Sequence, residues 1–269
     1  MIMEMRSEFW KSEIDNKGCI GFDLDGTLLE KGVWKSGLKN IINDLTSENF
    51  VFFATGRSIL ECGDIVDDIK VSVPVICDDG QYIYNREKRL YTENEYVNVN
   101  ENDFILFDKN QIEIAIETRN NIYTESKILN KLLRIYCGIK EADIVHGVPK
   151  EHVHIYKIYY YERMEGSIDV LEKKYRITRI GKRFGSLTEQ NVSKYTAFKK
   201  LARNRCIKTD NTIFFGDGKN DIELMSAVSR GVAMYNSVPE LKKVSNYILN
   251  SDDELIQILL SLCDNKNIK

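Results

Sequence analysis

Two aspartates two residues apart, Asp23 and Asp25, end the apolar run CIGF and lead directly into Gly26 and Thr27. On an extended segment, residues two apart share a face, so the carboxylates form a pair. At about 4 Å and an effective dielectric near 20, two such charges repel by roughly 4 kcal/mol, and a cation or a proton must offset that repulsion. Three further stretches carry groups suited to the same task. Residues 52–58, FFATGRS, end an apolar run in a hydroxyl and a glycine, and Thr55 with the N–H groups beside it can hold a phosphate oxygen. Residues 192–198, VSKYTAF, put Lys194 at the opening of an amphipathic helix. Residues 213–221, IFFGDGKND, are a strand followed by a glycine-framed acidic loop, where Asp217 and Asp221, four apart, are able to face one cation. Taken singly, each stretch has an ordinary reading: a turn aspartate, a strand-to-helix turn, a solvated lysine, a helix N-cap.

Taken together and in this order, the four stretches resemble the signature of the haloacid dehalogenase superfamily: DxDGT, a hydroxyl-ended strand, a lysine and GDxxND. More than a hundred residues separate Thr55 from Lys194, room for an inserted cap of small-domain size, which resembles the Cof-like phosphatase branch. The resemblance implies Asp23 as nucleophile and Asp25 as general acid/base. It implies Thr55, Gly56 and Lys194 as phosphate clamps. Mg2+ would be held by Asp23, Asp217 and Asp25, the last through its backbone carbonyl, with Asn220 and Asp221 in support. Arg57, Asp79 and Gly80 are possible substrate contacts. The implied activity is Mg2+-dependent hydrolysis of a small phosphorylated metabolite (a sugar phosphate, nucleotide or cofactor phosphate) through an aspartyl-phosphate. A phosphotransferase or phosphosugar mutase using the same intermediate is the alternative, and a non-catalytic phospho-ligand binding protein a second. Two positions depart from the family pattern: Tyr195 stands where Gly is common, and Asp79-Gly80-Gln81 where Asn-Gly-Ala is common. Both bear on substrate contacts rather than on the four chemical positions.

The elements that must position these groups alternate between strand and helix. Strands are expected at 19–22, 50–54 and 73–77, with helices around 38–45 and 59–69, and the same alternation returns after Lys194. That pattern predicts an α/β fold with a Rossmann-like parallel sheet, whose strand ends carry the polar groups at one rim. From about residue 81 the texture changes. A hairpin is expected around 85–88, alternating strands at 112–118, 152–161 and 177–184, and short helices at 128–136 and 167–174. We therefore expect a core of 1–84 and 186–269 and an inserted α+β cap of 85–185 that governs substrate specificity.

Composition narrows the partners. The 269 residues carry 38 basic and 41 acidic side chains, a formal charge of −3, so no overall charge favours nucleic acid. No apolar run approaches the roughly 20 residues of a membrane helix, and a cytoplasmic location is expected. The six cysteines are scattered and form no CxxC, which favours free thiols over disulfides or zinc. His146, His152 and His154 read as ordinary strand residues, and the basic cluster over 173–183 as a solvated face. The sequence carries no signal for oligomeric state.

Overall fold

The computed structural model describes residues 18–87, 90–93, 96–149, 153–205 and 207–263. The chain opens with β1 (Cys19–Phe22), buried at every position, and a small hairpin of β2 (Leu29–Glu30) and β3 (Val33–Trp34). Helix α1 (Leu38–Glu48) follows, burying Leu38, Ile41, Ile42 and Leu45 at the spacing of one helical face. Next come β4 (Phe50–Ala54), α2 (Ile59–Asp67), β5 (Val75–Cys77), β6 (Tyr82–Asn85) and β7 (Leu90–Glu93). The middle of the chain forms α3 (Glu101–Lys109), β8 (Ile112–Glu117), β9 (Ile122–Thr124), α4 (Lys127–Leu132), β10 (Ile144–His146), β11 (Lys157–Glu162), β12 (Tyr175–Arg179) and β13 (Phe184–Glu189). The chain closes with α5 (Lys194–Arg205), β14 (Thr212–Gly216), α6 (Ile222–Ala227), β15 (Arg230–Ala233), α7 (Pro239–Val244), β16 (Tyr247–Ile248) and α8 (Asp252–Cys263).

These elements fall into two compact units. One comprises Met1–Gly56, Asp64–Tyr91 and Ser193–Lys269, the other Arg57–Gly63 and Thr92–Val192. The first unit is built on an eight-stranded sheet of order β16-β15-β14-β1-β4-β5-β6-β7. Its strands from β16 to β5 are parallel, and β6 runs antiparallel to β5. Strands buried on both faces must be largely apolar, and β1 and β4 are apolar throughout, β14 apart from Thr212 at its start. On one face the Phe52 ring stacks on Phe198 of α5 at 5.0 Å and on Phe214 at 6.3 Å. Gly21 makes room for it, since a Cβ there would lie 2.2 Å from the Phe52 ring. On the other side Phe22 stacks on Phe215 at 5.1 Å.

The second unit holds a six-stranded sheet of order β10-β9-β8-β11-β13-β12. The run Tyr159-Tyr160 shows why this sheet is stable: successive side chains point to opposite faces, Tyr160 packing with Ile158-side residues such as Leu187 and Tyr175, Tyr159 with Leu129, Leu133 and Phe184. Both tyrosines are packing residues.

The structure corrects the expected boundaries. The β6 and β7 strands belong to the core sheet rather than opening the cap, because β6 pairs with β5. The single strand expected at 177–184 is instead the antiparallel pair β12 and β13, which both stay in the cap sheet, so the core resumes at Ser193. The strand expected at 152–161 begins at Lys157, and His152 lies outside the described residues. Helix α3 was not expected at all. Its signal was a capping box, Asn100 with Asp103, each side chain accepting the other's backbone N–H.

Candidate active site

Asp23 follows β1, Thr55 follows β4, Asp79 lies just past β5, and Asp217 follows β14. These strands are neighbours in the order β14-β1-β4-β5, so the groups converge at the carboxyl rim where chain order switches sides about β1.

At the centre is Lys194, the first residue of α5 and wholly buried. Its Nζ donates to Asp23 Oδ1 at 2.6 Å and to Asp221 Oδ1 at 2.7 Å. Burial alone would lower its pKa, but Asp221, Asp23 and Asp79 more than offset this and hold the ammonium charged. Asp221 is equally buried, and its Oδ2 accepts the backbone N–H groups of Asp217 and Gly218, each at 3.0 Å. One carboxylate thus shapes the acidic loop and holds the lysine.

Asp23, Asp217 and Asp221 each offer an oxygen, and these lie within 4.8 Å of one another. Burial pushes the Asp23 carboxyl well above the usual carboxylate range; the Lys194 ammonium pulls it down, and the Asp221 and Asp217 carboxylates push it further up. Asp217 is pushed up to about 6 by burial and by Asp221, against the pull of Lys194 and Lys35. One ammonium does not balance three crowded carboxylates. The donor set, all hard oxygens, fits a divalent cation such as Mg2+.

The side chain of Asp25 is not in this group; it is exposed, and its charge acts on Asp217 from outside. Between the two, Gly26 takes a left-handed φ of 76°, and a Cβ there would lie 2.2 Å from Asp217 Oδ2. The DxDGT turn therefore requires glycine at this position. Thr55 is buried, and its carbonyl accepts the N–H of Asp79 at 3.1 Å. Gly80, at φ 116°, packs so tightly on the start of α5 that a Cβ would lie 2.3 Å from the Ser193 carbonyl oxygen. Asn220 donates to Asp79 Oδ1 at 2.7 Å. Arg57 groups with the second unit. Tyr195 packs against the core, with the Lys199 ammonium 4.8 Å over its ring.

Residues 20–256 match the family model of the haloacid dehalogenase-like hydrolases. The chain belongs to that family. This hydrolase is 25% identical over 270 residues to the 5-amino-6-(5-phospho-D-ribitylamino)uracil phosphatase YwtE of Bacillus subtilis, a match covering 88% of the chain and 94% of YwtE. Its fold is that of a haloacid dehalogenase-like hydrolase from Bacteroides thetaiotaomicron, with a TM-score of 0.78, 19% identity and coverage of 92% and 100% of the two chains. It also resembles the subclass IIB sugar phosphatase BT4131, with a TM-score of 0.70, 18% identity and coverage of 91% and 100%.

The hydrolase has two side chains beside the site that its sequence does not mark, Lys35 and Asn236. Lys35 Nζ donates to the Gly26 carbonyl at 3.2 Å and to Asp252 Oδ1 at 2.7 Å, bracing the DxDGT turn against the start of α8. No local pattern marks it, because its partner is 217 residues away. Asn236 Nδ2 donates to the same carbonyl at 3.3 Å.

Proposed function

We propose that this hydrolase is an Mg2+-dependent phosphatase acting on small phosphorylated metabolites through an aspartyl-phosphate on Asp23. The observation that carries the reading is the buried Lys194 ammonium shared by Asp23 and Asp221, with Asp217 beside them. A phosphate ester is an anion approached by an anionic nucleophile, so charge and positioning set the barrier. Asp23 and Asp217, backed by Asp221 and Asn220, would hold Mg2+, which when bound screens that repulsion.

Lys194 holds one oxygen of Asp23 and leaves the other to form a bond to phosphorus as the ester bond breaks. Thr55 and Gly56 take the phosphoryl oxygens. Asp25, exposed beside the site, gives its proton to the departing alcohol oxygen. It then takes a proton from the water that cleaves the acyl phosphate, releasing phosphate and restoring Asp23. The relatives' names favour a sugar or polyol phosphate as substrate, and the inserted unit, Thr92–Val192, is the part we assign to choosing among such esters. No helix among the described residues is long and apolar enough to cross a membrane. The five described cysteines are free, which suits a reducing cytoplasmic setting.

A panel of phosphorylated metabolites assayed for released phosphate, with Mg2+ and again in excess EDTA, tests the reading. Metal-dependent release from at least one sugar or polyol phosphate is expected. No release from any member by the metal-loaded protein overturns it.

A further inference from the structure

Asp79 is a carboxylate where the chemistry above requires none. It is 5% exposed and sits in the left-handed region at φ 54°, its N–H tied to the Thr55 carbonyl. Its two oxygens lie 3.2 and 3.4 Å from the point a Cβ on Gly56 would occupy, so the carboxylate fills the space which that glycine leaves beside Thr55. Asn220 donates to its Oδ1 at 2.7 Å. An amide oxygen would accept that hydrogen bond equally well, so the bond does not explain the charge. Nor does the backbone, since Asn tolerates the left-handed region at least as well as Asp.

The charge has a consequence for ligands. Asp79 adds a fourth carboxylate to Asp23, Asp217 and Asp221 around one buried lysine, and it lies against the residues assigned to the phosphate. An anion bound there is repelled by it, and the repulsion is long-ranged in a site largely closed to water. A ligand offsets this where its organic part brings a hydrogen-bond donor or a positive charge. A carboxylate also has acceptor capacity beyond the single N–H that Asn220 provides.

We propose that Asp79 is a specificity-determining residue: it selects phosphate monoesters whose alcohol part carries a hydroxyl or ammonium group close to the ester oxygen, and rejects those with a second anionic group there. This rests on the phosphatase reading, and the test separates the two. Three two-carbon esters differ only in the group of interest: 2-aminoethyl phosphate, 2-hydroxyethyl phosphate and 2-phosphoglycolate. Asp79→Asn keeps the Asn220 hydrogen bond and removes only the charge, whereas Asp79→Ala removes both. In wild type, kcat/KM should favour the ammonium and hydroxyl esters over phosphoglycolate. Asp79→Asn should shrink the preference for the ammonium ester by about tenfold or more, as removal of a nearby charge implies. A purely structural role predicts that Asp79→Asn leaves the ratio where it was and only Asp79→Ala changes it; that result overturns the proposal. If wild type releases phosphate from none of these esters, nor from p-nitrophenyl phosphate, in Mg2+, the phosphatase reading stands or falls on the metabolite panel. Titration of inorganic phosphate by calorimetry then decides the role of Asp79 alone: binding several-fold tighter in Asp79→Asn upholds charge selection, and unchanged affinity overturns it.

Discussion

A lysine at the first position of a helix opposes the helix dipole, and a wholly buried one also pays for its desolvation, so Lys194 is where it is because of Asp23 and Asp221. The two partners differ in what they do. Asp23 makes one bond to the lysine, whereas Asp221 also accepts two backbone N–H groups of the acidic loop. Asp23→Asn should therefore lower turnover by at least about a thousandfold, because an amide is a poor nucleophile. Its melting temperature should stay close to that of wild type, since Lys194 keeps Asp221 as partner. Asp221→Ala should instead cost stability, on the order of 3–5 kcal/mol, by leaving a buried ammonium and two backbone donors short of their acceptor. Urea unfolding of the two variants checks the contrast, and equal stabilities would contradict the division of roles.

Among the elements, α3 shows how a polar residue can dock a helix. Asp103 closes the capping box, accepts the Tyr175 hydroxyl at 2.9 Å and pairs with Lys174. Burial pushes its carboxyl upward, but the hydrogen bonds from Lys174, the Asn100 N–H and Tyr175 prevail and hold it below the ordinary 3.8. A carboxyl with a depressed folded pKa contributes stability that is present above its unfolded pKa and is lost as the pH falls through the folded one. Asp103→Asn removes that contribution while keeping an acceptor. The gap in melting temperature between wild type and variant should be widest near neutral pH and close below about pH 4; a gap independent of pH would show that the charge of Asp103 does not hold the helix. The β12–β13 pair makes a related point about strands. A run of alternating residues from 175 to 189 is compatible with one strand or two, and the break falls at the glycine-containing turn near Gly181.

For the molecule as a whole, the three-carboxylate cluster is a site of crowded like charge at the carboxyl rim of the first unit's sheet. A ligand that binds only the folded state stabilises it by mass action, about 2.7 kcal/mol at a hundred times its dissociation constant. Millimolar Mg2+ should therefore raise the melting temperature of wild type, and the rise should be much reduced in Asp217→Asn, which would lose one of the proposed ligands. Thermal melts with and without EDTA check this. An equal Mg2+ effect in both proteins would place the ion elsewhere.

The features legible in the chain follow from local rules. Apolar runs ending in polar residues, and strands alternating with helices, specify a parallel sheet whose carboxyl rim gathers Asp23, Thr55 and Asp217, because side-chain period and crossover connections leave few other arrangements. The amphipathic stripe of α1 was readable for the same reason. Tertiary structure alone decided which carboxylates meet. Spacing offers both Asp23 with Asp25 and Asp217 with Asp221; because β14 and β1 lie side by side, Asp23 meets Asp217 and Asp221, while the Asp25 side chain stays exposed. It also decided that Lys35 reaches Asp252 and that Asn220 reaches Asp79, contacts spanning 217 and 141 residues. Such pairs leave no periodic trace in a chain; they exist only once packing has brought distant strand ends to one rim.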